Sequence, residues 1–207
     1  MTPPLGLLTV AAMLPSDWDL RVVDENVNPL VDADFEGIDL VLVSSKIIHR
    51  PRALEVVRMA RERGLLVAVG GPDPTLTPGP YQEAGASFLC LDEGEVTVPK
   101  LLAALEAGVT EGVFRAQGEL ADLSKTPTPR FDLVDHRDYL YVGLQYSRGC
   151  PYHCEFCNVI DLFSNAYRTK TLPQILKELD CLYDLGYRGQ LDFFDDNLVG
   201  HMKDVKP

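Results

Sequence analysis

The chain has 207 residues, enough for one large domain or two small ones. Its apolar content of 46% and charged content of 24% are ordinary for a globular protein with a real core. The formal net charge of −12 argues against a nucleic-acid partner, because phosphate contacts call for a basic face.

The first half of the chain has the pattern of an α/β domain. An apolar run at residues 5–14 lies between prolines and predicts a short buried helix. This run is too short for a membrane span and lacks the basic leader of a signal peptide, so we expect a cytoplasmic protein. Strands are predicted at 20–24, 39–44, 65–69 and 87–91, and helices at 51–63, 81–84 and 96–105. The alternation predicts a Rossmann-like, doubly wound parallel sheet at residues 1–110.

One expected element is missing from this domain. A doubly wound domain begins with a strand, whereas this chain begins with the helix that would follow it. In a flavodoxin-like strand order the missing strand would lie in the middle of the sheet, so its absence would expose two apolar strand edges. We therefore expect the chain to be truncated.

The second half has a different organisation. Residues 111–138 carry prolines, mixed charge and few regular patterns, which is typical of a linker. A second domain is predicted at 139–207, with a strand at 141–147, an amphipathic helix at 172–185 and a strand at 190–194.

Three of the five cysteines lie in one motif directly after the strand at 141–147. Cys150, Cys154 and Cys157 have the spacing C-x-x-x-C-x-x-C, with Phe156 before the last cysteine. An iron–sulfur cubane normally takes four cysteine ligands, so three would leave one iron open to a small molecule. The alternatives are a structural zinc, a disulfide-prone cluster or a ferredoxin-like fragment. Zinc sites usually repeat a C-x-x-C pair, and ferredoxin motifs supply a fourth cysteine.

Other candidate residues follow the predicted strands. Gly70 and Gly71 lie at the carboxyl edge of the first sheet, where flat ligands bind and where glycine lets a backbone approach closely. Ser44 ends the preceding strand. In the second domain, Asp196 and Asn197 directly follow the last predicted strand.

Together these features resemble the radical S-adenosylmethionine (SAM) enzymes that carry a cobalamin-binding domain. The resemblance covers nearly the whole chain. It rests on the cysteine motif and on the segments V-G-G-P-D-P-T at 69–75, D-E-G-E at 92–95, P-T-P-R-F-D at 127–132 and Y-R-T-K-T at 167–171. It implies that the second domain is the start of a partial TIM-type βα barrel, with room for two of its six units.

The resemblance also implies the cofactors. These are a [4Fe–4S] cluster on Cys150, Cys154 and Cys157, SAM chelated by its open iron, and cobalamin on the first domain. The residues that would contact SAM or the cluster are Asp196, Asn197, Phe156 and Arg168. The residues that would approach cobalamin are Ser44, Gly70, Gly71, Glu93 and Gly94. The D-x-H-x-x-G motif of domains that supply a histidine to cobalt is absent, so cobalamin would bind without one.

The implied activity is reductive cleavage of SAM, with cobalamin-dependent methyl transfer to an unactivated carbon of a small molecule or lipid. An electron donor such as flavodoxin or ferredoxin would be a partner. Two alternatives stay open: an iron–sulfur or zinc module without turnover, and a radical SAM cyclase or oxidase. The sequence identifies neither a catalytic side chain nor the substrate.

Overall fold

The structure of the protein is a computed structural model, which describes residues 1–198. It divides into two compact units, Leu30–Ala121 and Met1–Pro29 together with the chain from Asp122 onward. This division differs from the predicted boundaries 1–110, 111–138 and 139–207. The N-terminal helix α1 (Leu5–Ala11) belongs to the second unit by its contacts, because its Leu8 is buried in a cluster with Phe131 and Val142.

The unit Leu30–Ala121 contains a four-stranded parallel sheet. Its strands, in spatial order, are β1 (Leu40–Ser44), β2 (Leu66–Gly70), β3 (Phe88–Cys90) and β4 (Gly112–Phe114). Its helices are α2 (Arg50–Glu62), α3 (Pro72–Leu76), α4 (Gly79–Glu83) and α5 (Gly94–Glu106). The predicted α/β fold with a parallel sheet is confirmed.

Apolar side chains cover both faces of this sheet. On β2, Val67 and Val69 point into a cluster with Val57 of α2, while Ala68 between them packs on the opposite face with Leu101 of α5. Strands buried on both faces read as continuous apolar runs rather than alternating ones, as in L-V-A-V. Burial also raises the pKa of Cys90 at the end of β3 to about 12, so this thiol is a protonated core group.

Two elements of this half differ from the prediction. The strand expected at 20–24 is wrong: no strand forms there among the described residues, and Val22 instead packs against the cluster around Leu8. A strand needs a partner for its ladder, and no strand of the described residues pairs with this segment. Conversely, β4 lies inside the predicted linker, where it pairs with β3 through Phe88 and Gly112.

The second unit contains a βα arrangement. Its strands are β5 (Tyr141–Leu144), β6 (Ser147–Arg148), β7 (Arg168–Thr169) and β8 (Gln190–Phe193), and its further helices are α6 (Val159–Phe163) and α7 (Leu172–Asp184). β5 and β8 are parallel, with Leu144 opposite Phe193, while β6 and β7 form a short antiparallel pair. Among residues 1–198, no helix has both the length and the apolar content that a membrane crossing needs.

Helix α7 buries a narrower face than its leucine pattern predicts. A capping box starts the helix: the Thr171 hydroxyl accepts from the Gln174 amide, and the Gln174 side chain accepts from the Thr171 amide. Ile175 and Leu182 are buried, whereas the exposed fractions of Leu172 and Leu176 are 67% and 50%.

Between Ile175 and Leu182 the buried face of α7 carries a carboxylate. Glu178 is 1% exposed and pairs with the ammonium of Lys170, which is 4% exposed. The second carboxylate oxygen of Glu178 has no hydrogen-bond partner among residues 1–198. Burial raises the pKa of Glu178, and the Lys170 charge opposes that shift.

Candidate functional site

The cysteine motif lies on the loop between β6 and α6. Gly149 directly precedes it with a φ of 86°, and a Cβ at this position would collide with the carbonyl oxygen of Ala166. Only glycine fits this turn, which fixes where Cys150 begins the loop. Cys150 is half-buried and Cys154 is exposed.

The chemistry of this loop suits an iron–sulfur centre. Cys150, Cys154 and Cys157 are all free thiols, and thiolates are the ligands that iron–sulfur clusters require. Across the described part of the chain, however, no three His, Cys, Asp or Glu side chains are arranged as a metal site. The fold thus brings the three thiols onto one loop without bringing them into a ligand cluster.

The polar residues after β8 reach the start of this loop. The Asp195 carboxylate accepts hydrogen bonds from the Tyr146 amide at 3.2 Å and from both the amide and the hydroxyl of Ser147. The Asn197 amide nitrogen donates to the Cys150 sulfur at 3.5 Å. Asp196 is exposed, and partial desolvation, followed by the charge of Asp195, raises its pKa. Asp195 belongs to the same D-D-N segment after the last predicted strand as Asp196 and Asn197, and its contact with Ser147 in β6 has no local signal in the sequence.

The positions of the other two predicted SAM contacts, Phe156 and Arg168, give less information about a ligand. Phe156 is 93% exposed, so it does not pack against the described residues. The Arg168 guanidinium donates to the backbone carbonyl of Phe163 at 2.8 Å. For both side chains, a contact with SAM or the cluster stays a prediction.

In the unit Leu30–Ala121, the turn after β2 approaches the end of β1 closely. Gly71 has a φ of 101°, and a Cβ there would lie 2.9 Å from the Ser44 hydroxyl oxygen and 3.0 Å from the Ser45 carbonyl oxygen. The predicted residues Ser44, Gly70 and Gly71 are therefore brought together at the carboxyl edge of the sheet. The absence of a side chain at position 71 lets the two loops touch.

Hydrogen bonds continue this edge across the next loops. The Thr75 hydroxyl donates to the Gly71 carbonyl at 2.9 Å and accepts from the Asp92 amide at 2.9 Å. The Asp92 carboxylate in turn accepts from the Ala116 amide at 2.9 Å. These hydrogen bonds connect the loop after β2 to the loop after β3, and the loop after β3 to the loop after β4.

The D-E-G-E segment makes structural contacts at this edge of the sheet. Glu93 is 3% exposed, and its carboxylate accepts from the Ala121 amide at 3.2 Å. Gly94 begins helix α5. Glu93 therefore stabilises the segment after β4, and its predicted contact with cobalamin remains untested.

Sequence reasoning missed a buried polar cluster beneath the glycine turn. Two guanidinium nitrogens of Arg50 donate to the Asp73 carboxylate at 2.8 and 2.6 Å, and the Tyr81 hydroxyl donates to it at 2.6 Å. The hydrogen bonds from Arg50 hold the pKa of Asp73 below its usual range. Burial raises the pKa of Tyr81 to about 12. The Asp73 amide also donates to the Ser45 carbonyl at 3.1 Å, so this cluster fixes the loop after β2 against the loop after β1.

Replacing Gly71 with alanine is expected to destabilise the protein more than replacing Gly64, a matched control. Both glycines have positive φ, and Gly71, with φ 101° and ψ −179°, lies in a region essentially restricted to glycine, which costs an L-residue about 1–3 kcal/mol. A Cβ at Gly64 meets nothing within 4 Å, whereas one at Gly71 overlaps Ser44 and Ser45, adding about 1–3 kcal/mol. Chemical denaturation of G71A and G64A measures the difference, and equal stabilities would contradict the close approach.

Comparison with known proteins gives three results. Residues 1–102 match the sequence model of the B12 binding domain family. An uncharacterized methyltransferase of Synechocystis is 46% identical over 206 residues, which cover 100% of this chain and 38% of the relative. Hopanoid C-2 methylase of Rhodopseudomonas palustris is 39% identical over 207 residues, covering 97% of this chain and 38% of the relative.

A solved structure shares the fold. The radical S-adenosylmethionine methyltransferase TsrM from Kitasatospora setae, solved with tryptophan substrate and a SAM analog, superimposes with a TM-score of 0.74 at 18% identity. The match covers 94% of this chain and 45% of that chain. A second structure of TsrM has cobalamin and a [4Fe–4S] cluster bound. The chain therefore spans less than half the length of these relatives.

Proposed function

The chain belongs to the radical SAM proteins that carry a B12-binding domain, and from this premise we propose that it is part of a cobalamin-dependent methyltransferase. The reaction would transfer a methyl group to an unactivated carbon of a small molecule or lipid. The observation that carries the proposal is the position of the Cys150–Cys157 loop. It follows a strand at the carboxyl end of the β5–β8 pair, the edge at which barrel enzymes build their active sites.

At this loop the chain would contribute three ligands and the groups around them. Cys150, Cys154 and Cys157 would hold a [4Fe–4S] cluster as thiolates. Bound there, the cluster would supply the electron for the reductive cleavage of SAM. Asp196 would be the carboxylate that attracts the SAM ammonium group, and Arg168 would be the cation that pairs with the SAM carboxylate.

At the other site the backbone would make the contacts. Ser44, Gly70 and Gly71 form a carboxyl edge without large side chains, which suits the approach of a flat macrocycle. Bound cobalamin would supply the methyl carrier. The Arg50–Asp73 pair would orient this edge from below, because it fixes the loop that contains the glycines.

The names of the relatives support a methyl acceptor among small molecules and lipids. Hopanoid C-2 methylase is named for a lipid, and TsrM was solved with tryptophan as its substrate. A low-potential protein such as flavodoxin or ferredoxin would deliver the electron.

Anaerobic reconstitution with iron and sulfide tests this function. We expect the reduced protein to give an electron paramagnetic resonance signal that changes when SAM is added, because SAM would occupy the open iron. Titration with hydroxocobalamin, followed by absorbance, tests the second site in the same preparation. Bound zinc, or a cluster signal indifferent to SAM, would contradict the proposal.

A further inference from the structure

The Asn197 side chain contacts Cys150, the first cysteine of the motif, directly. Its amide nitrogen lies 3.5 Å from the sulfur of Cys150, within the range of an N–H···S hydrogen bond. We propose that this bond raises the reduction potential of the cluster held at Cys150, so that Asn197 tunes electron uptake. The inference rests on the proposed function, and it replaces the SAM contact that the sequence predicted for this residue.

The sheet fixes the backbone that leads to Asn197, which itself lies in the turn after β8. β8 runs parallel to β5 with Phe193 opposite Leu144, and the Phe194 amide donates to the Leu144 carbonyl at 2.8 Å. The Asp195 carboxylate continues the connection through its bonds to Ser147. The chain therefore reaches Asn197 along a fixed path.

The backbone around Cys150 is fixed by a segment that also contacts Leu198, the residue after Asn197. Gly149 lies against the Ala166 carbonyl, and the Tyr167 hydroxyl donates to the Leu198 carbonyl at 3.1 Å. Ala166 and Tyr167 are neighbours, directly before β7. The segment that contains Ala166 and Tyr167 thus contacts both Gly149, which precedes Cys150, and Leu198, which follows Asn197. The fold therefore sets the distance between Gly149 and Leu198.

The chemistry of the three polar residues supports this role. Asp195 is directed to Ser147 and Asp196 is exposed, so the residue beside the sulfur is the neutral amide, which is a donor. One-electron reduction of the cluster, by a donor of the flavodoxin or ferredoxin class, increases the negative charge on its sulfur ligands. An N–H donor stabilises that reduced form more than the oxidised form, and hydrogen bonds to the sulfurs are among the determinants of cluster potential.

An N197L variant of the reconstituted chain tests the inference, with N165L as its control. Asn165 is an exposed asparagine of the same unit whose carbonyl contacts the Ser164 hydroxyl. The readout is the midpoint potential, from a dithionite titration with redox mediators followed by electron paramagnetic resonance. We expect N197L to weaken one-electron reduction by roughly tenfold, a shift of about 59 mV to more negative potential, and N165L to match the wild type.

An N197D variant provides a second test if N197L fails to assemble a cluster. Aspartate keeps the shape of asparagine but has no N–H to donate, and its charge opposes reduction, so its potential should fall at least as far. Unchanged potentials in the variants that assemble a cluster, with the SAM response intact, would overturn the inference and leave the proposed function standing. An unchanged potential with a lost SAM response would assign Asn197 to SAM instead. A wild-type chain that assembles no cluster would overturn the proposed function and this inference with it.

Discussion

Replacing Cys154 with alanine is expected to reduce the iron and sulfide content of the reconstituted protein to background. Three thiolates are the whole donor set of the motif, and removing one leaves two ligands, which do not hold a cubane. Cys181 provides a matched control in the same unit. It lies on α7 against the cluster that contains Leu8, and burial raises the pKa of its thiol. C181A should therefore retain the full metal content.

The same measurement on C150A and C157A completes the series. Each should behave like C154A, since no ligand of the open-iron site is dispensable. Iron and sulfide analysis with the absorbance spectrum of the reconstituted protein gives the result. Retention of the centre in C154A, or its loss in C181A, would show that the ligand set has been assigned wrongly.

Replacing Lys170 with methionine is expected to cost about 3–5 kcal/mol of the free energy of unfolding at neutral pH. The change leaves the Glu178 carboxylate buried without its counter-ion, and one of its oxygens is already unpaired. Lys125 is the control: it is 82% exposed and pairs with Asp122 at the surface. K125M should change the stability by less than about 0.5 kcal/mol. Chemical denaturation followed by far-ultraviolet circular dichroism measures both.

The deficit of K170M should shrink on acidification. Burial raises the pKa of Glu178 above its unfolded value, and without the Lys170 charge nothing opposes that shift. A raised folded pKa means that the native state binds the proton more tightly than the unfolded chain does. The destabilisation that Glu178 causes in the variant is therefore absent below the unfolded pKa of about 4.3 and grows as the pH rises through the folded value. A deficit independent of pH, or no recovery in K170M/E178L, would show that the buried carboxylate is not its cause.

Much of the fold follows from the sequence because its elements have strong local signals. The run at 65–69 predicts β2, and the apolar period of residues 172–185 predicts α7. The short strands have no such signal. β4 has three residues, and its place in the sheet depends on pairing with Phe88, more than twenty residues earlier in the chain. The two-residue pair β6 and β7 depends likewise on partners that the sequence does not reveal.

The residues of the candidate site also differ in how far the sequence alone reveals them. The three cysteines are recognisable because the spacing of a metal motif is local in sequence. The Arg50–Asp73 and Lys170–Glu178 pairs are not, because a charged residue ordinarily indicates surface and its burial depends on a partner at another position. Glu93 is a further example: its carboxylate is buried and accepts from the Ala121 amide, a contact that the D-E-G-E motif does not indicate.

The ladder between β5 and β8 should make the second unit unevenly tolerant of insertions and deletions. Extra residues at 185–189, between α7 and β8, would lengthen a turn outside the ladder and leave the strand register in place. A single residue added or removed between Phe193 and Asn197 would move Asp195 away from Ser147 and Asn197 away from Cys150, because both contacts depend on their distance along the chain from the end of β8. The number of residues from Phe193 to Asn197 therefore determines whether the Asn197 side chain can reach the sulfur of Cys150.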